Sequence, residues 1–169
     1  MIAPIPHPDD APGIRLSTAV ITVSDTRTPD TDHSGQLMQQ LLRQAGHGVT
    51  CYQILPDEPL QIQAQLTALT ADPALVAILC NGGTGIAPRD TTYDAIAALL
   101  EKQLPGFGEL FRWLSFQEIG SRAIASRAVA GLYRSKLIFA LPGSTKAVRL
   151  GMEQLILPEL VHLSQQVRS

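Results

Sequence analysis

Leu75-Val76-Ala77-Ile78-Leu79-Cys80-Asn81-Gly82-Gly83-Thr84-Gly85-Ile86-Ala87-Pro88-Arg89-Asp90 begins as an apolar run and stops at three glycines within four residues. Thr91-Thr92-Tyr93-Asp94 then opens an apolar pattern of helical period that continues from Ala95 to Leu100. Strand, glycine turn, polar loop and helix start make the junction at which α/β proteins bind anionic ligands. Glycines allow the tight turn and let backbone N–H groups approach an anion. Asp90 closes the loop. Its carboxylate would repel a bare phosphate, so it calls for a metal ion or a proton-transfer role. The plain alternative is a turn with an aspartate near a helix start.

Two common nucleotide motifs are excluded. A Walker loop needs Gly-Lys before Ser or Thr, and no Gly-Lys pair occurs in the chain. The dinucleotide fingerprint needs Gly or Ala where Gly83-Thr84-Gly85-Ile86-Ala87-Pro88 places proline.

Upstream, the same succession occurs twice. Thr18 to Val23 is a β-branched strand that ends in Ser24-Asp25-Thr26-Arg27. Asp32 or Thr31 then caps a helix from Ser34 to Ala45, with Leu37, Met38, Leu41, Leu42 and Ala45 on its apolar face. Gly46 ends it. Val49 to Leu55 is a second strand, followed by Pro56-Asp57-Glu58-Pro59. Pro59 suits the first turn of a helix from Leu60 to Leu69, with Asp57 or Glu58 at its cap. Repeated strand–loop–helix units imply parallel strands and right-handed crossovers. Ser24-Asp25, Asp57 and Gly82 to Asp90 therefore fall on one edge of the sheet. Ser24 and Asp25 also read as simple turn residues.

Downstream, Leu104 to Glu109 turns into a helix with Phe111, Leu114, Phe116 and Ile119 on its apolar face and Trp113 partly buried. Ala128 to Tyr133 and Lys136 to Leu141 read as a hairpin about Arg134-Ser135. The second of these strands ends at Pro142-Gly143-Ser144-Thr145-Lys146. Ser144 can cap a helix from Thr145 to Leu155, and its amides with Lys146 make a second candidate anion site. A capped turn with a surface lysine is the alternative. Pro158 is expected to bend or restart the last helix. The fold class is α/β: one three-layer domain over residues 15–169, a mostly parallel sheet with an antiparallel hairpin strand, and helices on both faces. Residues 1–14, holding Pro4, Pro6, Pro8 and Pro12, read as an N-terminal arm.

The 169 residues carry a formal net charge of −2, with 45% hydrophobic and only 5% aromatic residues. Leu, Ile, Val and Ala must build the core. No Lys/Arg cluster marks a nucleic-acid binder, and no apolar run reaches the roughly 18 residues of a membrane span. Cys51 and Cys80 read as buried core residues, and the histidines show no ligand spacing. No signal peptide is visible, so a cytoplasmic protein is expected.

Taken in order, Thr22-Val23-Ser24-Asp25, Asp32-Xaa-Ser34-Gly35, Pro56-Asp57-Glu58, Gly82-Gly83-Thr84-Gly85 with Arg89-Asp90, Pro105-Gly106-Phe107-Gly108-Glu109, Ser126-Arg127 and Leu141-Pro142-Gly143-Ser144-Thr145-Lys146 closely resemble the MoaB/MogA family of molybdenum-cofactor biosynthesis, which includes the G domain of gephyrin. The resemblance spans about Arg15 to Val167. It implies a trimeric protein that binds molybdopterin and adenylylates its terminal phosphate with Mg-ATP, releasing pyrophosphate before metal insertion. It places catalytic and Mg²⁺-binding roles on Asp57 and Asp90. Ligand-lining roles fall on Ser24, Asp25, Gly82, Gly83, Thr84, Gly85, Pro142, Gly143, Ser144 and Lys146. Phe107 to Phe116 and Ser126 to Gly131 look MoaB-like, and some MoaB-like members lack one or both aspartates and are inactive. This chain keeps both. The alternative is a non-catalytic molybdopterin-binding or carrier protein, with other proteins of the pathway as further partners. Phe111, Trp113, Leu114 and Phe116 are the candidate contact for a threefold homo-oligomer.

Overall fold

The computed structural model describes residues 13–168. All but the last two residues of the expected arm lie outside the described residues. Six strands form one sheet in the order β2-β1-β3-β6-β5-β4. β1 (Ser17–Val23) is paired in parallel with β2 (Gly48–Leu55) on one side and β3 (Leu75–Asn81) on the other. β6 (Lys136–Leu141) continues the parallel set beside β3, and β5 (Val129–Tyr133) runs antiparallel to it. A short edge strand, β4 (Lys102–Gln103), closes the far side. β4 has no apolar alternation by which its sequence announces a strand.

The parallel half follows from the two crossovers, α1 (His33–Gln44) and α2 (Pro59–Leu69). β3 is buried along its whole length, as a central parallel strand with helices on both faces must be. One core cluster packs α1, α4 (Pro105–Ile119), α5 (Thr145–Gly151) and α6 (Leu157–Arg168) on one face of the sheet. The other packs α2 and α3 (Thr92–Leu99) on the opposite face. Aromatic side chains contribute little, as the composition requires. Phe107 and Phe139 meet edge to face with ring centroids 5.5 Å apart.

Several local expectations are corrected. Ala45 is exposed and follows α1 as its C-cap. α4 begins at Pro105 rather than after Glu109, because proline is preorganised for the first helical turn. It buries Phe107, Phe111 and Ser115, which lie four residues apart on one face. Trp113 and Phe116, each 59% exposed, and Ile119, 48% exposed, therefore point away from the core. Cys80 is fully buried and its thiol is pushed up to about 12 by burial, whereas Cys51 on the edge strand is only half-buried.

Pro158 is the second residue of α6, so the α-helix restarts at it as expected. A π-helical turn over Met152–Ile156 joins α5 to α6, and the Leu157 N–H reaches back five residues to Met152 O. The wider turn falls just ahead of the residue that has no N–H to donate.

The β5–β6 hairpin closes through Arg134 (φ 48°) and Ser135 (φ 61°), two consecutive left-handed residues as a tight primed turn demands. Neither is glycine or asparagine, so the turn carries strain. Ser135→Gly is expected to raise stability by about 1 kcal/mol, read as a higher urea midpoint at unchanged slope. An unchanged midpoint would show that the turn is relaxed.

Candidate functional site

The three parallel loops converge at the carboxyl edge of β1, β2 and β3. The first contact between them is made by Asp25, whose carboxylate accepts from the backbone N–H of Asp57 at 3.1 Å. Arg89 reaches the other Asp25 oxygen through Nε and Nη2, each at 2.6 Å. The Arg89 guanidinium and the Asp57 amide hold the Asp25 carboxyl below its ordinary value. Asp25 therefore ties the second and third loops to the first.

Asp57 does not cap its own helix. Glu58 is the N-cap of α2 and makes no side-chain cap bond. Instead Oδ1 of Asp57 accepts from the Thr91 N–H (3.1 Å), the Thr91 hydroxyl (2.6 Å) and the Thr92 hydroxyl (3.4 Å), at the entry to α3. Oδ2 has no hydrogen bond among the described residues and lies against Gly83, where a Cβ would collide with it and with the Thr92 hydroxyl. Gly82 (φ 97°) and Gly83 (φ 62°) are both left-handed, which explains the paired glycines. At Gly82 a Cβ would meet the Val23 carbonyl.

Asp90 turns back on its own loop, with Oδ2 accepting from the Ala87 N–H at 3.0 Å. Arg127 clamps the loop from the α3 side. Its Nε donates to Thr84 O (3.0 Å) and Nη2 to Gly85 O (2.8 Å), while the guanidinium pairs with Asp94 and lies over the Tyr93 ring. The loop carbonyls are thus turned toward Arg127. The N–H groups of Gly83, Thr84 and Gly85 donate to no group among the described residues.

These glycines, with Ser24, Thr26, Arg27, Asp90, Pro142 and Gly143, line a cleft of about 340 Å³. Two neighbouring depressions extend it. One, of about 620 Å³, shares Gly85 and Asp90 and continues to Asp94 and Arg127. The other, of about 600 Å³, shares Ser24 and Arg27 and continues over Asp25 and Tyr52 to Pro56. The cleft brings together Ser24, Gly82 to Gly85, Asp90, Pro142 and Gly143 of the expected residues. Asp25 lines the neighbouring depression, and Asp57 stands behind Gly83. Ser144 is exposed and caps α5 by accepting from the Ala147 N–H at 3.1 Å. Lys146 is exposed and lines none of these three cavities.

Beneath the cleft lies a buried polar cluster that the sequence motif Asp32-Xaa-Ser34-Gly35 marked without assigning a role. Asp32 is fully buried at the N-cap of α1, and accepts from the Gly35 N–H (3.0 Å) and the Tyr52 hydroxyl (2.7 Å). Ser34 shares its one proton between Asn81 Oδ1 at 2.7 Å and Asp32 Oδ1 at 3.1 Å, and Asn81 Nδ2 donates to the Thr22 hydroxyl at 2.9 Å. Arg27 stands above, with Nη1 donating to Asp32 and Ser34 and Nη2 to Gly143 O. Ser24 positions it by accepting from the Arg27 N–H at 3.1 Å. The sequence reading missed Arg27. Its only signal was its place, two residues past Asp25 at the end of a parallel strand.

Comparisons with known proteins show the family and the fold. A family model described as "Probable molybdopterin binding domain" matches residues 19–162. The chain is 52% identical over 162 residues to a protein of Halalkalibacterium halodurans named molybdenum cofactor biosynthesis protein B, covering 95% of each chain. A crystal structure of a molybdenum cofactor biosynthesis protein B superposes with a TM-score of 0.90 at 47% identity, covering 92% of this chain and 98% of that one. That of the tungsten cofactor synthesizing protein MoaB from Pyrococcus furiosus superposes with a TM-score of 0.82 at 33% identity, covering 91% and 98%.

Burial alone would raise the Asp32 carboxyl. Hydrogen bonds from Thr22, Tyr52, Gly35 and Ser34 outweigh it and hold the group below its ordinary value. A folded pKa below the unfolded one stabilises the protein fully above the unfolded value near about 3.9. That stabilisation is lost as pH falls through the folded value. Asp32→Asn is accordingly expected to cost about 1–3 kcal/mol at neutral pH. It should also flatten the fall of the urea midpoint between about pH 5 and pH 2. Parallel acid limbs in the two proteins would assign that fall to other carboxylates.

Proposed function

From the premise that the chain belongs to the family of molybdopterin-binding domains, we propose that it binds molybdopterin at the carboxyl-edge cleft and adenylylates its terminal phosphate with Mg-ATP. The observation that carries the reading is the set of unpaired amides at Gly83, Thr84 and Gly85, lining a cleft that also holds the Asp90 carboxylate. Free amides at a glycine turn bind phosphate oxygens. A carboxylate beside them suits a nucleotide whose charge is shared with a divalent cation. The transfer joins a molybdopterin phosphate oxygen to the α-phosphorus of ATP. The bond from that phosphorus to the β-bridging oxygen breaks, and pyrophosphate leaves.

The carboxylates fit Mg²⁺. Asp57 Oδ2 and Asp90 Oδ1 make no hydrogen bond among the described residues, while their partner oxygens are fixed by the loop and the start of α3. Mg²⁺ characteristically takes one or two carboxylates, retained waters and substrate phosphates. In keeping with that mode, no group of three or more His, Cys, Asp or Glu residues forms a metal cage among the described residues. When bound, the ion would neutralise charge developing on the phosphates. The residues of the chain contribute positioning: the Gly83 to Gly85 amides orient one phosphate, and the Arg127 clamp keeps the loop open to it.

Asp57→Asn and Asp90→Asn test the reading in a turnover assay with molybdopterin, ATP and Mg²⁺. At position 57 asparagine keeps an Oδ1 acceptor for Thr91 and Thr92 and replaces the free oxygen. Each variant is expected to fold normally and lose at least about a hundredfold in adenylyl transfer, roughly 2.7 kcal/mol of transition-state stabilisation. Molybdopterin binding should persist. Parent-like turnover in both variants, with unchanged Mg²⁺ dependence, would leave a molybdopterin-binding or carrier protein.

The exposed side of α4 supports a closed homo-oligomer, threefold in this reading. Leu110, Trp113, Phe116 and Ile119 are each 48–59% exposed and recur every three residues, winding over about half the circumference of the helix. Apolar surface repeated at this spacing is what a self-complementary helical contact needs. Light scattering should give a multiple of 18.2 kDa, and Trp113→Glu should release monomers. A parent protein that is monomeric at micromolar concentration would refute the contact.

A further inference from the structure

We infer that Arg27 is the cation that holds a phosphoryl oxyanion in the carboxyl-edge cleft; this rests on the phosphoryl-transfer reading of the site. Arginine offers five N–H donors. In Arg27 the chain occupies three of them: Nη1 toward Asp32 and toward Ser34, and Nη2 toward Gly143 O. The Nε–H and the second Nη2 hydrogen have no partner among the described residues. Nε and Nη2 form the side-on edge of a guanidinium, whose parallel N–H groups match two oxygens of a phosphate.

The position agrees with the donor count. Arg27 is 32% exposed, so its charge still reaches solvent, yet Asp32, Ser34 and Gly143 fix the plane of the group. A side chain already ordered by its neighbours loses little freedom when a ligand arrives. It lines both the glycine-loop cleft and the depression over Tyr52, and among the described residues no other Lys or Arg lines either one. The other two arginines of the rim are committed elsewhere. Arg89 is bound to Asp25, and Arg127 to Asp94 and the loop carbonyls. Asp90 adds negative charge to the same cleft, so an anion there needs this cation. The ligand class is a phosphoryl group, either the terminal monoester of molybdopterin or the polyphosphate of a nucleotide.

Calorimetric titration of the full chain with inorganic pyrophosphate, Mg-ATP and molybdopterin decides the matter. Arg27→Lys keeps a positive charge beside Asp32 and removes the fork; Arg27→Gln removes both. Arg149→Gln, on the exposed side of α5, controls for net charge. Arg27→Lys, with its thermal midpoint recorded alongside, is expected to weaken binding of its ligand ten- to a hundredfold. Arg27→Gln should also flatten the dependence of affinity on salt. A loss confined to pyrophosphate and Mg-ATP assigns Arg27 to the nucleotide; one confined to molybdopterin assigns it to the monoester. Undiminished affinity for all three ligands in folded Arg27→Lys overturns the inference, as does a parent protein that binds none of them. Should Arg27→Gln fail to fold, Arg27→Lys decides alone. Arg27-dependent binding without adenylylated product would retain this inference and end the transfer reading.

Discussion

A single buried carboxylate organises the functional edge of this protein. Asp32 has no exposure to solvent, and placing an unpaired charge there would cost several kcal/mol. The cost is offset by donors from four separate parts of the chain: Gly35 and Ser34 at the start of α1, Tyr52 on β2, Thr22 on β1, and Arg27 in the first loop. Hydrogen bonds to a charged group are worth about 1.5–3 kcal/mol each. Satisfying Asp32 therefore fixes how α1 meets the sheet. Ser34 extends the cluster to Asn81, the last residue of β3, immediately before the glycines. The glycine turn is launched from a residue whose side chain this network holds.

Once launched, the loop is held at intervals along its length. Gly82 N–H bonds Leu141 O, Thr92 N–H bonds Gly83 O, and Arg127 takes the Thr84 and Gly85 carbonyls. Each contact consumes carbonyls or flanking groups and leaves the amides of Gly83 to Gly85 free. The left-handed φ values of Gly82 and Gly83, which glycine adopts without strain, let the chain make these contacts.

The parallel half, the hairpin and the convergence of three loops were legible in the sequence because they follow from period and alternation. Each strand–loop–helix unit carries its own signal within about 30 residues. The failures have a common cause in long-range packing. α4 has apolar residues nearly all round, so its pattern could not say that Phe107, Phe111 and Ser115 face inward while Trp113 and Phe116 face out. Asp57 sits where an N-cap belongs, but its acceptors serve Thr91 and Thr92, 34 and 35 residues on. Arg27 depends on Gly143, 116 residues away, and nothing local distinguishes it from a solvated arginine. Lys146, by contrast, stood in the right kind of motif and remains on the open surface.

The charge balance of the rim then limits what can bind there. Asp25 and Arg89 neutralise each other, as do Asp94 and Arg127. Arg27 shares its charge with Asp32 below it. Asp57 and Asp90 form no ion pair among the described residues, and each keeps one oxygen unbonded. An uncharged ligand would gain nothing from two such carboxylates. A polyphosphate alone would be repelled by them at close range, with only neutral amides and one shared guanidinium in its favour. A polyphosphate carrying a divalent cation reverses that balance, since the same two oxygens become attractive to the ion while the amides and Arg27 remain available to the phosphates. Under the proposed function, this charge balance suits a metal–nucleotide complex better than either component bound singly.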